Sequence, residues 1–244
     1  MDIFLQPESW LALLTLTLLE VVLGVDNIIF ISIVTNKLPE HQQEKARITG
    51  LALALIFRIV LLMGISYMIH LTAPLFTLGS FEFSWRDLIL VVGGLFLIAK
   101  STSEINNKME GEAQNPGESV VTRSFAYTIS QIILLDIIFS FDSILTAVGL
   151  TEVLVLMITA VVISMIIMMT FANKIAETIK QHPSLEVLAL SFLILIGFML
   201  MIDALHYHVP KGYIYFAVFF SLMVQMLNIK IRKKSTVAEV IKDN

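Results

Sequence analysis

Residues 18–28 read LLEVVLGVDNI, and residues 134–144 read LLDIIFSFDSI. Each copy places two carboxylates six positions apart in an otherwise apolar run, and an amide or hydroxyl residue follows the second acid. The polar positions are Glu20, Asp26 and Asn27 in the first copy, and Asp136, Asp142 and Ser143 in the second. Ionisable residues inside a membrane are costly to keep, so they point to a functional site by default.

The composition indicates a membrane protein. The 244 residues are 57% hydrophobic and 15% charged, whereas soluble domains carry about 25% charged residues. There is no cysteine, which excludes disulfides and thiolate metal sites. The chain has no P-loop, Rossmann, GxSxG or HExxH motif, so we expect neither an enzyme nor a nucleic-acid-binding protein. The expected partner is the lipid bilayer.

The apolar runs divide the chain into two halves. A membrane-spanning helix needs about 20 mostly apolar residues. We place spans at 10–34, 48–71, 87–100, 123–149, 151–172, 186–203 and 210–229. The predicted organisation is a three-span unit at 1–100, a polar cytoplasmic linker at 101–122, a second three-span unit at 123–204, an extra span within 205–229 and a short basic tail at 230–244.

The positive charges predict an orientation. Thirteen of the 16 Lys and Arg residues fall in the loops after spans one, three and five, with their edges, and in the tail. Only Arg86 and Lys211 fall on the opposite side, and Arg58 lies inside span two. The positive-inside rule then places the N-terminus outside and the C-terminus in the cytoplasm of a bacterial cell, with the protein in the cytoplasmic membrane.

The two halves are predicted to be inverted repeats. Three spans is an odd number, so two tandem units enter the membrane with opposite orientation, as in many secondary transporters. GLFLIAK at 94–100 also matches GFMLMID at 197–203. Chance likeness between Leu-rich helices explains this second match easily, but it does not explain the paired acids. The predicted fold class is an all-α membrane protein with about seven transmembrane helices, namely two inverted three-helix repeats plus one extra helix.

Helix phase constrains how the acids of one copy meet. Residues six apart on an ideal helix point about 120° away from each other. Two acids of one copy therefore reach a common site only if the helix unwinds between them. Gly24 and Ser140 lie between the acids, so we predict broken or bent first and fourth helices at these residues.

Four carboxylates carry four negative charges, and Arg58 offsets one of them. The remaining negative charge is too costly to bury uncompensated in a low dielectric, so either some acids take up protons or a multivalent cation binds. Oxygen-only ligands suit hard ions such as Mg²⁺, Ca²⁺ and Mn²⁺. The alternatives are buried ion pairs that only hold helices together and a proton relay without metal. Arg58 itself is either structural or part of a gate.

Other polar residues have simpler interpretations. Lys100 and Asp203 lie near span ends, where snorkelling of the side chain to the interface explains them. His206 and His208 precede span seven within a Tyr-rich stretch. We interpret that stretch as an aromatic interface belt with a turn, with metal capture by the two histidines as the alternative.

Four stretches carry a resemblance to a known family. LLEVVLGVDNIIF at 18–30, DLILVVGGLFLIAKSTSEI at 87–105, LLDIIFSFDSILTAVG at 134–149 and HVPKGYIYFAVFFS at 208–221 resemble the TerC family of integral membrane proteins, part of a larger group of LysE-like exporters. The resemblance covers about residues 8–230. It implies metal resistance or homeostasis, with members associated with manganese efflux and with metal supply to exported metalloenzymes. It places Glu20, Asp26, Asp136 and Asp142 at the family's acidic motif positions.

Together these features predict a divalent-cation transporter, with Mn²⁺ export as the first choice. The metal site would comprise the six polar positions of the two copies, and no tightly bound cofactor is expected. Protons are the predicted coupling ion. A second hypothesis is a metal-delivery factor acting with the secretion machinery, and a third is an intramembrane aspartyl hydrolase.

Overall fold

The structure is a computed structural model that describes residues 5–64, 74–78, 81–109, 124–151, 153–207 and 209–242, with the backbone alone at some positions within the helices. Its elements in chain order are α1 (Pro7–Thr35), α2 (Glu40–Met63), β1 (Pro74–Leu78), β2 (Phe81–Ser84), α3 (Trp85–Met109), α4 (Phe125–Leu150), α5 (Leu154–Gln181), α6 (Pro183–Ala204) and α7 (Lys211–Lys242).

The predicted class of all-α membrane protein is confirmed. Among the described residues, six helices are long and apolar enough to cross a membrane, namely α1, α2, α3, α5, α6 and the 212–231 portion of α7. The remaining long helix, α4, has a shorter continuous apolar stretch over Phe125–Ser140 within its described residues. These seven helices correspond in order to the seven predicted spans.

Four span boundaries differ from the prediction by eight residues or more. Helix α5 ends at Gln181 and helix α7 at Lys242, whereas the predicted spans end at 172 and 229. Helix α2 begins at Glu40, well before the predicted start at residue 48, because Gln43 and Arg47 are buried against neighbouring helices and keep the chain helical beyond its apolar part. The predicted end of this span, at residues 65–71, lies outside the described residues. Helix α3 continues to Met109, so it includes the first part of the predicted linker; the rest, residues 110–122, is outside the described residues.

The connection before α3 contains a hairpin that the sequence analysis missed. Strands β1 and β2 pair antiparallel, with Leu78 opposite Phe81 and Thr77 opposite Glu82. The sequence between the strands is Gly-Ser, and two such residues between apolar runs are a hairpin signal. The strands are only five and four residues long, far shorter than the apolar run of a membrane span.

The predicted breaks in the first and fourth helices are wrong. Helices α1 and α4 run through Gly24 and Ser140 as uninterrupted α-helix. Gly24 serves close packing instead, since a Cβ at this position would lie 2.3 Å from the Sδ of Met168 on α5. Ser140 is fully buried and uses its hydroxyl in hydrogen bonds to other helices and to its own. Small residues at these two positions therefore reflect packing and polar contacts, and the backbone stays intact.

The helices pack in a pattern that exchanging the two halves leaves unchanged. The most extensive contacts join α3 to α6, α1 to α5, and α2 to α4 and to α5. Swapping α1 with α4, α2 with α5 and α3 with α6 reproduces the same set of pairs. The inverted repeat itself stays a prediction, and this pairing is the arrangement it requires.

The α3–α6 contact centres on two glycines. A Cβ on Gly94 would lie 2.5 Å from the carbonyl oxygen of Gly197, and a Cβ on Gly197 would lie 2.8 Å from that of Gly94. Small residues let membrane helices approach backbone to backbone. These two glycines are the first residues of the matched GLFLIAK and GFMLMID segments, so the segments that look alike in sequence also touch in space.

Two apolar clusters fill the protein. The first lies where α1, α2, α4 and α5 meet, and the second lies where α3 and α6 pack against α1 and α4. Helices α1 and α4 contribute residues to both clusters, and these are the two helices that carry the polar motifs.

Candidate functional site

A buried arginine connects three helices at the centre of the protein. The Arg58 side chain on α2 is only 2% exposed. Its Nη1 donates to Oε2 of Glu20 on α1 at 2.6 Å, and its Nη2 donates to Oδ1 of Asp136 on α4 at 2.8 Å. Its Nε donates to Oγ of Ser140 at 2.9 Å. We call the group Glu20, Arg58, Asp136 and Ser140 the ionic centre. It brings together the first acid of each sequence motif.

Local helix geometry positions the α4 side of the ionic centre. Ser140 follows Asp136 by four residues, so both side chains lie on one helix face. The Ser140 hydroxyl donates to Oδ2 of Asp136 at 3.1 Å while it accepts from Arg58. One turn further on, the buried Ser143 hydroxyl is within hydrogen-bonding reach of two acceptors, the Ser140 carbonyl at 3.2 Å and the Glu20 carboxylate, and its single proton serves one of them at a time. Both oxygens of Asp136 thus accept a hydrogen bond, Oδ1 from Arg58 and Oδ2 from Ser140.

The charges of the ionic centre do not cancel when both acids are ionised. Two carboxylates, each about 95% buried, face one guanidinium. The fork of an arginine suits two such acceptors better than the point charge of a lysine. Desolvating three charged groups offsets much of their mutual attraction, so a buried cluster of this kind is weak evidence for stability. Its retention inside the membrane points to a functional role.

A cavity of about 100 Å³ adjoins the ionic centre. Glu20, Arg58, Asn27 and Ser143 line one part of it. The lining at its other end includes Asp203 near the end of α6 together with Val209 and residues of α7. The volume is enough for several water molecules or a partly hydrated ion. The cavity therefore links Glu20 and Arg58 of the ionic centre to the end of the bundle where α6 joins α7.

Asn27 contributes an unpartnered acceptor to this cavity. Its side chain is 7% exposed, and its Oδ1 is buried with no hydrogen-bond partner among the described residues. Buried polar atoms are almost always paired, so an orphaned acceptor needs a reason. An acceptor that lines a cavity beside two carboxylates can receive a cation or a water molecule. The oxygen chemistry of this site fits the cation expected from the sequence.

The structure does not describe the side chain of the second acid of either motif. The side chains of Asp26 and Asp142 lie outside the described part of the structure, and their place in the metal site stays a prediction. Within the described residues no group of three His, Asp or Glu side chains could hold a metal ion. Glu20 and Asp136 alone form the acidic pair there, and Arg58 bridges them.

The end of the cavity carries an ion-pair cluster that sequence reasoning did not foresee. Arg86 Nη2 donates to Oδ2 of Asp203 at 2.6 Å, and Arg86 also lies 3.5 Å from Asp87. Asp87 is fully buried; it accepts from Ser84, and its Oδ2 is 3.1 Å from Nε2 of His206. Asp203 therefore has a specific partner and lines the cavity, rather than only snorkelling. His208 lies outside the described residues.

The opposite end of the bundle has a different set of ion pairs. Lys37 and Lys100 both pair with Glu104, Lys108 pairs with Glu186, and Lys180 pairs with Glu40 at 2.6 Å. This is the end that the positive-inside rule predicts to be cytoplasmic. The Lys108–Glu186 and Lys180–Glu40 pairs join helices from the two halves of the chain, although ion pairs near the surface contribute little stability individually.

Comparison with known proteins decides the family. The sequence profile described as "Integral membrane protein TerC family" matches residues 5–238. The chain belongs to the TerC family. It is 54% identical over 230 residues to the UPF0053 inner membrane protein YgdQ of Escherichia coli (strain K12), which covers 94% of this chain and 96% of YgdQ.

Other TerC relatives match over nearly the same part of this chain. A UPF0053 protein of Haemophilus influenzae is 49% identical over 228 residues, covering 93% of this chain and 96% of the relative. The UPF0053 inner membrane protein YoaE of Escherichia coli (strain K12) is 44% identical over 228 residues, covering 93% of this chain but 44% of YoaE. No solved structure matched. This TerC protein is therefore a multi-pass inner-membrane protein, and its orientation in the membrane stays a prediction.

Proposed function

We propose that this TerC protein exports Mn²⁺ across the cytoplasmic membrane and binds the ion with the motif carboxylates of α1 and α4. One observation carries the proposal. Glu20 and Asp136, the first acids of two matching motifs far apart in the chain, approach a single guanidinium from separate helices at 2.6 and 2.8 Å. A pair of carboxylates that shares one cation is suited to bind a metal ion in place of that cation.

The surrounding ligands favour a hard divalent ion. The described groups beside the acids are the Ser143 hydroxyl and the unpartnered Oδ1 of Asn27. Carboxylate, hydroxyl and amide oxygens suit Mn²⁺, Mg²⁺ and Ca²⁺ better than soft ions. In the proposal Asp26 and Asp142, whose helices pass through the same region, complete the ligand set. Mn²⁺ is preferred because the family resemblance associates members with manganese.

Transport, rather than a fixed metal site, is supported by two features of the fold. The cavity connects Glu20 and Arg58 with the α6–α7 end of the bundle. The main helix pairs are unchanged when the two halves are exchanged, as they are for two related repeats. In the proposal these repeats are inverted and alternate access by rocking around a central site. Carboxylates that release a metal ion can take up protons in its place, so we propose protons as the coupling ion.

The test is ion flux in proteoliposomes containing the purified full-length protein. Mn²⁺, Mg²⁺, Ca²⁺ and Zn²⁺ are each measured with and without a pH gradient. We expect the wild-type protein to move Mn²⁺ fastest and the gradient to accelerate it. Glu20→Gln and Asp136→Asn should each lower the Mn²⁺ rate at least tenfold.

The matched control is Glu8→Gln, which makes the same chemical change at an exposed position at the start of the same helix. It should transport as the wild type does. Wild-type protein that moves another ion but not Mn²⁺ would refute the ion assignment. Equal loss of transport in the control and the two site variants would refute the site assignment.

A further inference from the structure

Arg58 occupies the place between Glu20 and Asp136 that a bound cation would need. Nitrogen atoms at its two ends face one oxygen of each acid at 2.6 and 2.8 Å. The third nitrogen is engaged by Ser140, so the guanidinium is directed entirely at the ionic centre. A divalent ion that entered the same space would be repelled by this charge in a low-dielectric surrounding. The two cations therefore exclude each other.

The two halves of the protein differ at this point. Gly24 and Ser140 occupy the same position in the two matched motifs. Ser140 faces Arg58 on α2, whereas Gly24 faces Met168 on α5. The same motif position therefore contacts a permanent positive charge in the second copy and a neutral thioether in the first.

The cavity provides space into which the Arg58 guanidinium can move. Arg58 lines this cavity together with Asn27, whose Oδ1 is a buried acceptor without a donor among the described residues. A guanidinium that leaves the acids carries five N–H donors and no acceptor. Asn27 therefore offers a displaced Arg58 the kind of hydrogen bond that it would lack elsewhere in an apolar interior.

We propose that Arg58 is an internal counter-cation that competes with the transported ion for Glu20 and Asp136. Ion entry displaces the guanidinium into the cavity, and the return of the guanidinium to the acids expels the ion. Arg58 is thus a positioning residue that sets ion affinity against ion release. This inference rests on the proposed function, because it requires that the acids bind a divalent cation.

The test compares Arg58→Gln and Arg58→Lys with the wild type in the Mn²⁺ flux assay, together with Mn²⁺ titration calorimetry on the detergent-purified full-length protein. Arg58→Gln removes the competing charge. We expect the half-saturating Mn²⁺ concentration to fall at least tenfold and the maximal rate to fall as well, because the bound ion is no longer expelled. Arg58→Lys keeps the charge but loses the fork, so a smaller shift in the same direction is expected.

The matched control is Arg47→Gln on the same helix. Arg47 is also buried, at 7% exposure, but it donates to the neutral oxygens of Asn173, Thr35 and Asn36. The Arg47→Gln variant should have the same half-saturating Mn²⁺ concentration as the wild type. Should Arg58→Gln fail to fold, the Arg58→Lys titration decides.

The two proposals fail in different ways. Wild-type protein that neither binds nor moves a divalent ion would overturn the proposed function and the inference with it. A functional wild type whose half-saturating Mn²⁺ concentration is unchanged or raised in the Arg58 variants would overturn the inference alone, and would make Arg58 a structural residue.

Discussion

Removing the charge of Arg58 should destabilise the protein more than removing all three charges of the ionic centre. Arg58→Gln leaves Glu20 and Asp136 buried and adjacent without their counter-ion. Because the Arg58 side chain is 2% exposed, the two acids stay shielded from bulk water when its charge is removed. Breaking a buried ion pair by removing one partner costs about 3–5 kcal/mol. For a chain of this size that corresponds to a fall in Tm of roughly 6–20 °C.

The triple variant Glu20→Gln, Arg58→Gln, Asp136→Asn removes the charges together. Replacing a whole buried ion cluster with neutral groups is often close to neutral in stability. We therefore expect the triple variant to melt above Arg58→Gln and within a few degrees of the wild type. Thermal unfolding in detergent, followed by intrinsic fluorescence and by loss of the monodisperse chromatography peak, measures all three proteins.

The outcome depends on which variant has the higher Tm, the triple variant or Arg58→Gln. A triple variant that is less stable than Arg58→Gln would mean that the losses add. The three side chains would then act as independent packing groups, and the account of one coupled charge cluster would be wrong. Glu8→Gln, which changes an exposed acid of the same helix as Glu20, should melt with the wild type.

Three further predictions address packing, the cavity and the undescribed acids. Gly94→Ala places a Cβ 2.5 Å from the Gly197 carbonyl oxygen and should lower the free energy of unfolding by about 1–3 kcal/mol. Gly212→Ala, with nothing within 4 Å of its Cβ, should lower it much less, and equal losses in thermal unfolding would contradict the α3–α6 contact. Asp203→Asn, which removes a negative charge from the cavity lining, should raise the half-saturating Mn²⁺ concentration severalfold at low salt and less at high salt; a shift that does not depend on salt would argue against an electrostatic role. Asp26→Asn should fail to restore normal Mn²⁺ content and Mn²⁺ tolerance to cells lacking the protein, and full rescue would remove this residue from the site.

The sequence predicted the membrane class and the order of the helices because hydropathy and charge placement act over long stretches. It also singled out Glu20 and Asp136, because these acids stand out against apolar neighbours. In the structure Arg58 bridges these two acids, and the metal site built from both motifs stays a prediction. The charge of Arg58 was counted correctly, but its partners depend on how α2 packs against α1 and α4, which local sequence does not specify.

The misplaced details have a common physical origin. A glycine in a helical pattern serves equally for a break or for a close approach, and only Met168 against Gly24 distinguishes the two. The start of α2 and the end of α3 extend past the apolar core because Arg47 and Glu104 find polar partners there. Hydropathy marks the limits of the lipid-facing part, whereas tertiary contacts set the limits of the helix.

The most direct test of the central claim is the anomalous diffraction of Mn²⁺ in crystals of the ion-bound protein. A peak between the α1 and α4 carboxylates, within about 2.0–2.6 Å of oxygens of Glu20 and Asp136, with the Arg58 guanidinium moved into the cavity, is the predicted result. A Mn²⁺ peak elsewhere in the protein, with the Arg58 contacts to both acids intact, would contradict the account.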